Sequence, residues 1–339
     1  MTDPPGELVL EVEPVELPPP APVPSRAPPL ALRAAVSVSL LVGLFVVAFG
    51  LVLGLLALNV LVIRAGFQVV ALGLFTLLVV LSVGRGLVAM VRKPPEPQDE
   101  VEVPVAAEPE LHTRLSDLAR KVGSRPPDRV VVVADVNAYV REFGPLMGLL
   151  RGRRTLGIGA PLLDVLTVAQ LDAVLAHELG HLAGGDTRLG PLAFRTDEAA
   201  RQMIASLEQR ALAWVFIAYW RFQHRVSAAV RRGQELVADR AAVQAAGRQA
   251  AADALHRVAV VSAAEDLYRQ AFLGPLVEAG CRPADVGAGL REVLREPHHV
   301  RELSTLTLSA DEGADPWATH PPTAARIARV AALPDPPGL

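Results

Sequence analysis

Apolar positions are unevenly spread along this 339-residue chain, and the first third holds most of the excess. Ala34 to Ile63 is a run of 30 uncharged positions, Arg64 breaks it, and Ala65 to Gly84 adds 20 more. Crossing a bilayer core takes about 20 residues. The pattern therefore predicts two transmembrane helices joined by a tight turn near Asn59–Gly66. A cleaved signal peptide fits poorly, because the first run is too long and follows an acidic leader. The plainer alternative is a buried helical hairpin in a soluble core.

Beyond residue 110 the periods become short. Leu111, Leu115 and Leu118 predict a helix over Leu111–Val122, ended by Pro126-Pro127. Arg129–Ala134 (RVVVVA) predicts a strand and Thr155–Gly159 (TLGIG) a second. Thr167-x-x-Gln170 is a capping-box signature. It opens a helix whose apolar stripe is Val168, Leu171, Val174, Leu175, Leu179 and Leu182, with Gly184-Gly185 as the stop. From Pro191 to about Ala246, and on to about residue 330 with polar breaks, the chain reads as helix. Ala211–Trp220 (ALAWVFIAYW) is very apolar but too short to span a membrane. It suits either a core or the membrane interface, where Trp and Tyr are favoured, and core is the reading preferred.

Composition divides the rest. Residues 1–32 are acidic and crowded with proline, with Arg26 as the single base. Such a segment reads as a disordered tail, extended where prolines cluster. Residues 33–92 hold the two membrane helices, and residues 93–110 read as an acidic, proline-containing linker acting as a loose tether. A domain over 111–330 and a short tail over 331–339 complete the plan. Arg26 and Arg33 precede the hairpin and Arg85, Arg92 and Lys93 follow it, whereas Arg64 alone marks the turn. The positive-inside rule puts both ends, and the domain, in the cytoplasm.

The net charge is -3 and only Lys93 and Lys121 are lysines among 33 basic residues. No basic footprint for nucleic acid is present. Cys281 is the single cysteine, so an intrachain disulfide and a cysteine-based zinc cluster are excluded. It reads as a small buried apolar residue. His298-His299 reads as loop, and no nucleophile-elbow motif appears.

The chemistry concentrates in Ala176–Leu182 (AHELGHL). Helical positions four apart share one face, so His177 and His181 can aim at one point. Glu178 is offset enough not to ligate, yet close enough to reach a water beside a metal. Two surface histidines would be the bland explanation. Catalytic zinc usually has three protein ligands and an open position. A third is expected downstream, and Glu235-Leu236-Val237-Ala238-Asp239 is the strongest candidate. One carboxylate can bind the ion while the other orients a ligand imidazole. Taken without the histidines, the pair would be a solvated acidic face.

Leu166–Asp186 (LTVAQLDAVLAHELGHLAGGD), Gly233–Ala242 (GQELVADRAA) and Thr319–Ile327 (THPPTAARI), in this order, resemble the membrane zinc metallopeptidases of the HtpX and CAAX prenyl endopeptidase family. Asn137-Ala138-Tyr139 also resembles that family's Asn-Ala-aromatic segment. The resemblance covers roughly residues 111–330. It implies a mainly α fold with a small β-sheet, an α+β zincin-like protease domain behind the two-helix hairpin. It implies one Zn2+ per chain on His177, His181 and Glu235, with Glu178 as general base and acid and Asp239 supporting the ligands. His320 and Arg326 would line the site and help to stabilise the oxyanion, and Asp186 would be structural. The HtpX-like branch carries two further membrane helices between the histidine motif and the third ligand. Ala211–Trp220 is too short for one, so the chain resembles a two-span, membrane-tethered relative.

The expected activity is zinc-dependent hydrolysis of peptide bonds in extended segments. Thr155–Gly159 is a candidate strand for pairing with them. The expected partners are polypeptides, membrane or misfolded proteins among them, and the lipid bilayer. Quality control in the inner, cytoplasmic membrane is the expected role. The competing expectation is a membrane-anchored, non-catalytic scaffold with a structural or vestigial zinc site.

Overall fold

The computed structural model describes residues 10, 12–19, 30–67, 70–91, 100–143, 152–183, 204, 210–309 and 322–336. Two long apolar helices come first, α1 (Leu30–Arg64) and α2 (Val70–Val91). Within α1, Val42–Arg64 is 23 residues long and apolar enough to cross a membrane, while the apolar part of α2, Val70–Arg85, is shorter. Leu44 and Ala48 meet Val79 and Val83, and nearer the turn Asn59 donates to Thr76 Oγ1 at 2.7 Å. The helices are therefore an antiparallel hairpin. Asn59 lies inside α1, not in the turn, which falls at Ala65-Gly66, where Gly66 takes φ 81°. That left-handed conformation is one that glycine adopts without a steric cost.

The remaining domain is mainly helical with one small sheet. Strands β1 (Val101–Glu102), β2 (Arg129–Val133), β3 (Ala138–Phe143) and β4 (Arg153–Gly159) lie in the order β1-β2-β4-β3. β4 is parallel to β2 and antiparallel to β3. The expectation that Thr155–Gly159 pairs with a substrate is thereby corrected: β4 is hydrogen-bonded on both sides, and the two-residue β1 and the longer β3 are the edge strands among the described residues. Tyr139 of β3 faces Gly157 of β4. A Cβ at Gly157 would lie 2.3 Å from the Tyr139 ring, so only glycine fits beneath it. The Tyr139 hydroxyl donates to Glu100 at 2.6 Å, and Arg129 and Arg141 pair with the same buried carboxylate. Part of the expected loose linker is thus folded: Glu100 is an anchor of the sheet, and α3 (Pro109–Lys121) begins before residue 111.

After β4 come α4 (Ala160–Val165), α5 (Val168–Gly180) and the long α6 (Arg210–Ala246). Then follow α7 (Arg248–Leu267), a π-helical turn (Tyr268–Leu273), α8 (Gly274–Glu278), α9 (Val286–Arg295), α10 (Pro297–Ser309) and α11 (Thr323–Ala331). One core joins Leu115 and Leu118 of α3 with Val130, Leu156 and Ile158 of the sheet and Leu175 and Leu179 of α5. His298 and His299 lie in α10, not in a loop, and Cys281 is exposed, not buried. Ala211–Trp220 belongs to α6, and Phe216 is fully buried. Its neighbours are the hairpin residues Leu44, Ala48, Val79 and Val83, not the core of the domain.

The proline-rich tail is also corrected in part. Leu10 and Val12 are buried in a cluster with Val165, Val260, Val261 and Tyr268, and Val15 and Leu17 pack against Ala251, Ala252, Ile327 and Val330. The Val15 N–H donates to Asp253 Oδ1 at 2.9 Å, and Gln249 donates to the Val15 carbonyl at 3.0 Å. The alternation of apolar and polar residues around Leu10 and Val12 is an extended-chain signal. Proline pre-sets that conformation and reduces the entropy lost on docking. Leu10→Ala is expected to cost about 2–4 kcal/mol, read as a lower Tm of the detergent-solubilised full chain. An unchanged Tm would mean that this segment does not dock in solution.

Candidate metal centre

Helix α5 starts where its capping box places it. The Gln170 N–H donates to Thr167 Oγ1 at 3.3 Å and the Thr167 N–H donates to Gln170 Oε1 at 3.0 Å. Leu175 and Leu179 are buried, Leu171, Val174 and Leu182 are half-buried, and Val168, in the first turn, is exposed. The helix ends at Gly180, ahead of the expected stop. His181 is its C-terminal cap, and its N–H donates to the His177 carbonyl at 3.2 Å. Gly184, Gly185, Asp186 and His320 lie outside the described residues.

What brings a third group to the histidines is the approach of α6. A Cβ on Gly180 would lie 2.8 Å from Ala241 Cβ and 3.0 Å from the Ala238 backbone. Gly180, Ala238 and Ala241 therefore let the two helices pack closely, and Glu235 and Asp239, one turn apart on α6, face α5. Gly180→Ala is expected to force the helices apart at a cost of about 1–3 kcal/mol, with loss of zinc at limiting metal. Gly50→Ala, which meets nothing within 4 Å, is the silent control. Equal zinc retention by the two variants would refute the dependence on helix spacing.

The rings of His177 and His181 are edge to face, with centroids 4.7 Å apart, and their Nε2 atoms are 3.2 Å apart. Glu235 Oε2 lies 3.8 Å from His177 Nε2, and Glu235 Oε1 lies 3.7 Å from His181 Nε2. One ligand atom from each of these residues falls within 4.8 Å of the others. Donors on a tetrahedral zinc, each about 2.0–2.2 Å from the ion, are about 3.3–3.5 Å apart. The donor set and its spacing fit that ion. His177 and Glu235 are buried, whereas His181 and Glu178 are half-buried.

A supporting layer lies behind His177. His177 Nδ1 is 3.3 Å from Asp239 Oδ1. A proton held on Nδ1 by that carboxylate leaves the Nε2 lone pair directed at the ion position. Arg326 of α11 donates to Asp239 Oδ1 at 2.7 Å, and its guanidinium nitrogens lie 3.1 Å from His177 Nδ1 and 3.7 Å from Glu235 Oε2. Arg329, one turn on, lies 3.5 Å from Asp239 Oδ2. Burial would raise the Asp239 pKa. The hydrogen bond to His177 and the charge of Arg326 outweigh burial and hold it down to about 2. Asp239 is thus an ionised acceptor throughout the neutral range. Arg326 is brought beside the ligands, with its contacts directed to them and to Asp239. Arg329 was missed from sequence, although its i, i+3 spacing from Arg326 on a helix was the available signal.

A helical domain with a small sheet, and a His-Glu-x-x-His helix faced by a carboxylate from a second helix, define a metallopeptidase-type architecture. The model of peptidase family M48 matches residues 106–333, and the chain belongs to that family. Among curated proteins it is similar to a protease HtpX homolog of Aquifex aeolicus, with 30% identity over 112 residues covering 33% of this chain and 35% of that protein. It is also similar to a protease HtpX homolog of Halobacterium salinarum, with 35% identity over 92 residues (27% and 28%). A third relative, protease HtpX homolog 1 of Sulfurisphaera tokodaii, is 32% identical over 80 residues (24% of each). The matches thus span about a quarter to a third of these relatives' length. No solved structure matches the chain significantly.

Proposed function

We propose that this protein is a membrane-anchored zinc endopeptidase that hydrolyses extended polypeptide segments on the cytoplasmic face of the membrane. The observation that carries this reading is the convergence of His177, His181 and Glu235 on one point, with ligand atoms within 4.8 Å of one another. Membership of peptidase family M48 supports the reaction class. Bound there, zinc supplies Lewis acidity, drawing the pKa of water down to about 7 and polarising the scissile carbonyl.

The chain's own residues supply the rest. His177 and His181 present Nε2 and Glu235 its carboxylate, which leaves one side open. Asp239, held by Arg326 and Arg329, fixes the His177 ring. Glu178 takes a proton from the attacking water and returns it to the leaving amine. His320 and Arg326 carry the oxyanion role in this proposal. β3 is an edge strand of the sheet among the described residues, and Val140 in it packs against the core that includes Leu175, Ala176 and Leu179 of α5. An extended substrate adding to β3 would run beside the metal helix, its backbone groups meeting those of the strand.

Anchoring follows from the hairpin. The tail segment around Leu10–Leu17 before α1 and β1 after α2 both pack on the folded domain, so both ends of the hairpin lie on the domain's side. Arg33, Arg85, Arg92 and Lys93 favour the cytoplasm for that side. Such a site suits unfolded or loop segments close to the bilayer, and quality control of membrane proteins is the role proposed.

The test uses the full chain in detergent. About one zinc per chain is expected, as for a single three-ligand site, with casein cleavage or self-cleavage abolished by 1,10-phenanthroline and restored by added zinc. Zinc bound at that ratio without cleavage of casein, of itself or of unfolded membrane proteins would leave the scaffold reading in place.

A further inference from the structure

α11 supplies both arginines that hold Asp239, and it is a helix of nine residues. Isolated helices of that length are marginal in water, so packing has to set where it lies. Ile327 and Val330, the chain neighbours of Arg326 and Arg329, are buried in a cluster with Ala251 of α7, Ala242 of α6 and Ala173 of α5. Ala173 is one turn before His177, and Ala242 comes one turn after Asp239. Val15 and Leu17 of the proline-rich tail pack against this same cluster. The tail thus adds to the apolar support on which α11 is seated.

Polar contacts make the same tie. The Val15 N–H donates to Asp253 Oδ1 at 2.9 Å, and the Val15 carbonyl accepts from Gln249 at 3.0 Å. Two successive turns of α7 therefore hold the peptide groups of Val15. Arg248, at the start of α7, joins the tail to α11: its Nη1 donates to the Pro18 carbonyl at 3.1 Å and to the Ala331 carbonyl at 3.2 Å. Ala331 is the last residue of α11, where carbonyls have no partner within the helix. Arg248 Nε also donates to Asp335, just beyond α11, at 3.1 Å.

At its other side α11 has little slack. Arg326 donates to Asp239 Oδ1 at 2.7 Å, and that oxygen is 3.3 Å from His177 Nδ1. A shift of α11 by about 1 Å would stretch the first contact beyond hydrogen-bond length. We propose that Val15 and Leu17 are positioning residues of the metal centre. Docked on α7 and α11, they keep Arg326 and Arg329 on Asp239, and Asp239 on His177, so that zinc affinity depends on the tail. The proposal rests on the reading that His177, His181 and Glu235 bind zinc.

The test measures zinc affinity by chelator competition, and Tm, on the full chain in detergent. Val15→Ala with Leu17→Ala is expected to weaken zinc about 3–10-fold, part of the 10–100-fold that partners of a metal-ligating histidine contribute. Val15→Ile with Leu17→Met keeps the apolar contact and is expected to retain the parent's affinity. Leu294→Ala, in the buried cluster that α9 shares with Leu10, is the stability control. It is expected to lower Tm at least as far, with zinc affinity unchanged. In the Asp239→Asn protein the two tail substitutions are expected to add less than about twofold, because changes that act through one carboxylate are not additive. Arg248→Gln cuts the tie to Pro18 and Ala331 without emptying apolar packing, and is expected to weaken zinc as well. It decides alone if the tail variant fails to fold. Unchanged affinity in the tail variant and in Arg248→Gln, beside a parent that binds zinc, would overturn this inference and leave the metal centre standing. Equal weakening by Leu294→Ala, or full additivity with Asp239→Asn, would overturn it too. A parent without zinc would overturn the metal-centre reading and this inference with it.

Discussion

Glu178→Gln is expected to keep the zinc content of the parent protein and to lower peptide hydrolysis by about 10²–10⁴-fold, the range that a positioned acid–base group contributes. Glu178 follows the candidate ligand His177 on α5 and is half-buried. The amide has nearly the same shape and fills the same space, but it cannot accept a proton near neutral pH. Zinc per chain and initial rates of casein cleavage, measured on the same preparations, check the prediction. Retained activity would remove Glu178 from the mechanism. Parallel loss of zinc and activity would show instead that Glu178 helps to hold the ion. A scaffold has no use for this carboxylate, so the same pair of proteins separates the enzyme from its main competitor.

Glu235→Ala is expected to reduce bound zinc from about one ion per chain to a small fraction of that, because a catalytic site needs three protein ligands. Glu235 is buried and faces both imidazoles. Its removal leaves two histidines and the nearby Arg326 cation around the ion position, a poor site for a divalent metal. Asp239→Asn is the informative companion. Asp239 contacts His177 through Nδ1, not through the atom facing the cluster, so its loss is expected to weaken zinc about 10–100-fold without abolishing binding. Zinc titration by competition with a chelator ranks the two variants. The reverse order would exchange the roles of the two carboxylates.

The candidate site was legible in sequence because its two halves are local. Thr167 and Gln170 set the start of α5, and the four-residue spacing of His177 and His181 puts both rings on one face whatever surrounds them. The spacing of Glu235 and Asp239 did the same on α6. The edge strand β3 was less legible. Only the Asn137-Ala138-Tyr139 resemblance marked it, since Arg141 and Glu142 break its apolar pattern. Their partners, Glu100 and Arg154, are 41 and 12 positions away in the chain. Val168 was misjudged because helical periodicity does not register that the first turn of α5 faces solvent.

Periodicity, capping and spacing by themselves determined the apolar hairpin, the helix carrying the two histidines and the Glu235/Asp239 pair as candidates. Each is fixed by contacts within a few residues, and a linear pattern records them. The choice of Glu235 as the ligand came from the family resemblance. Only the tertiary structure decided that Leu10 and Val12 dock on α7, that Phe216 packs into the hairpin and that Arg329 reaches Asp239. Each of these depends on surfaces brought together from distant parts of the chain. Burial against such a surface offsets an ordering entropy that composition alone would judge too large.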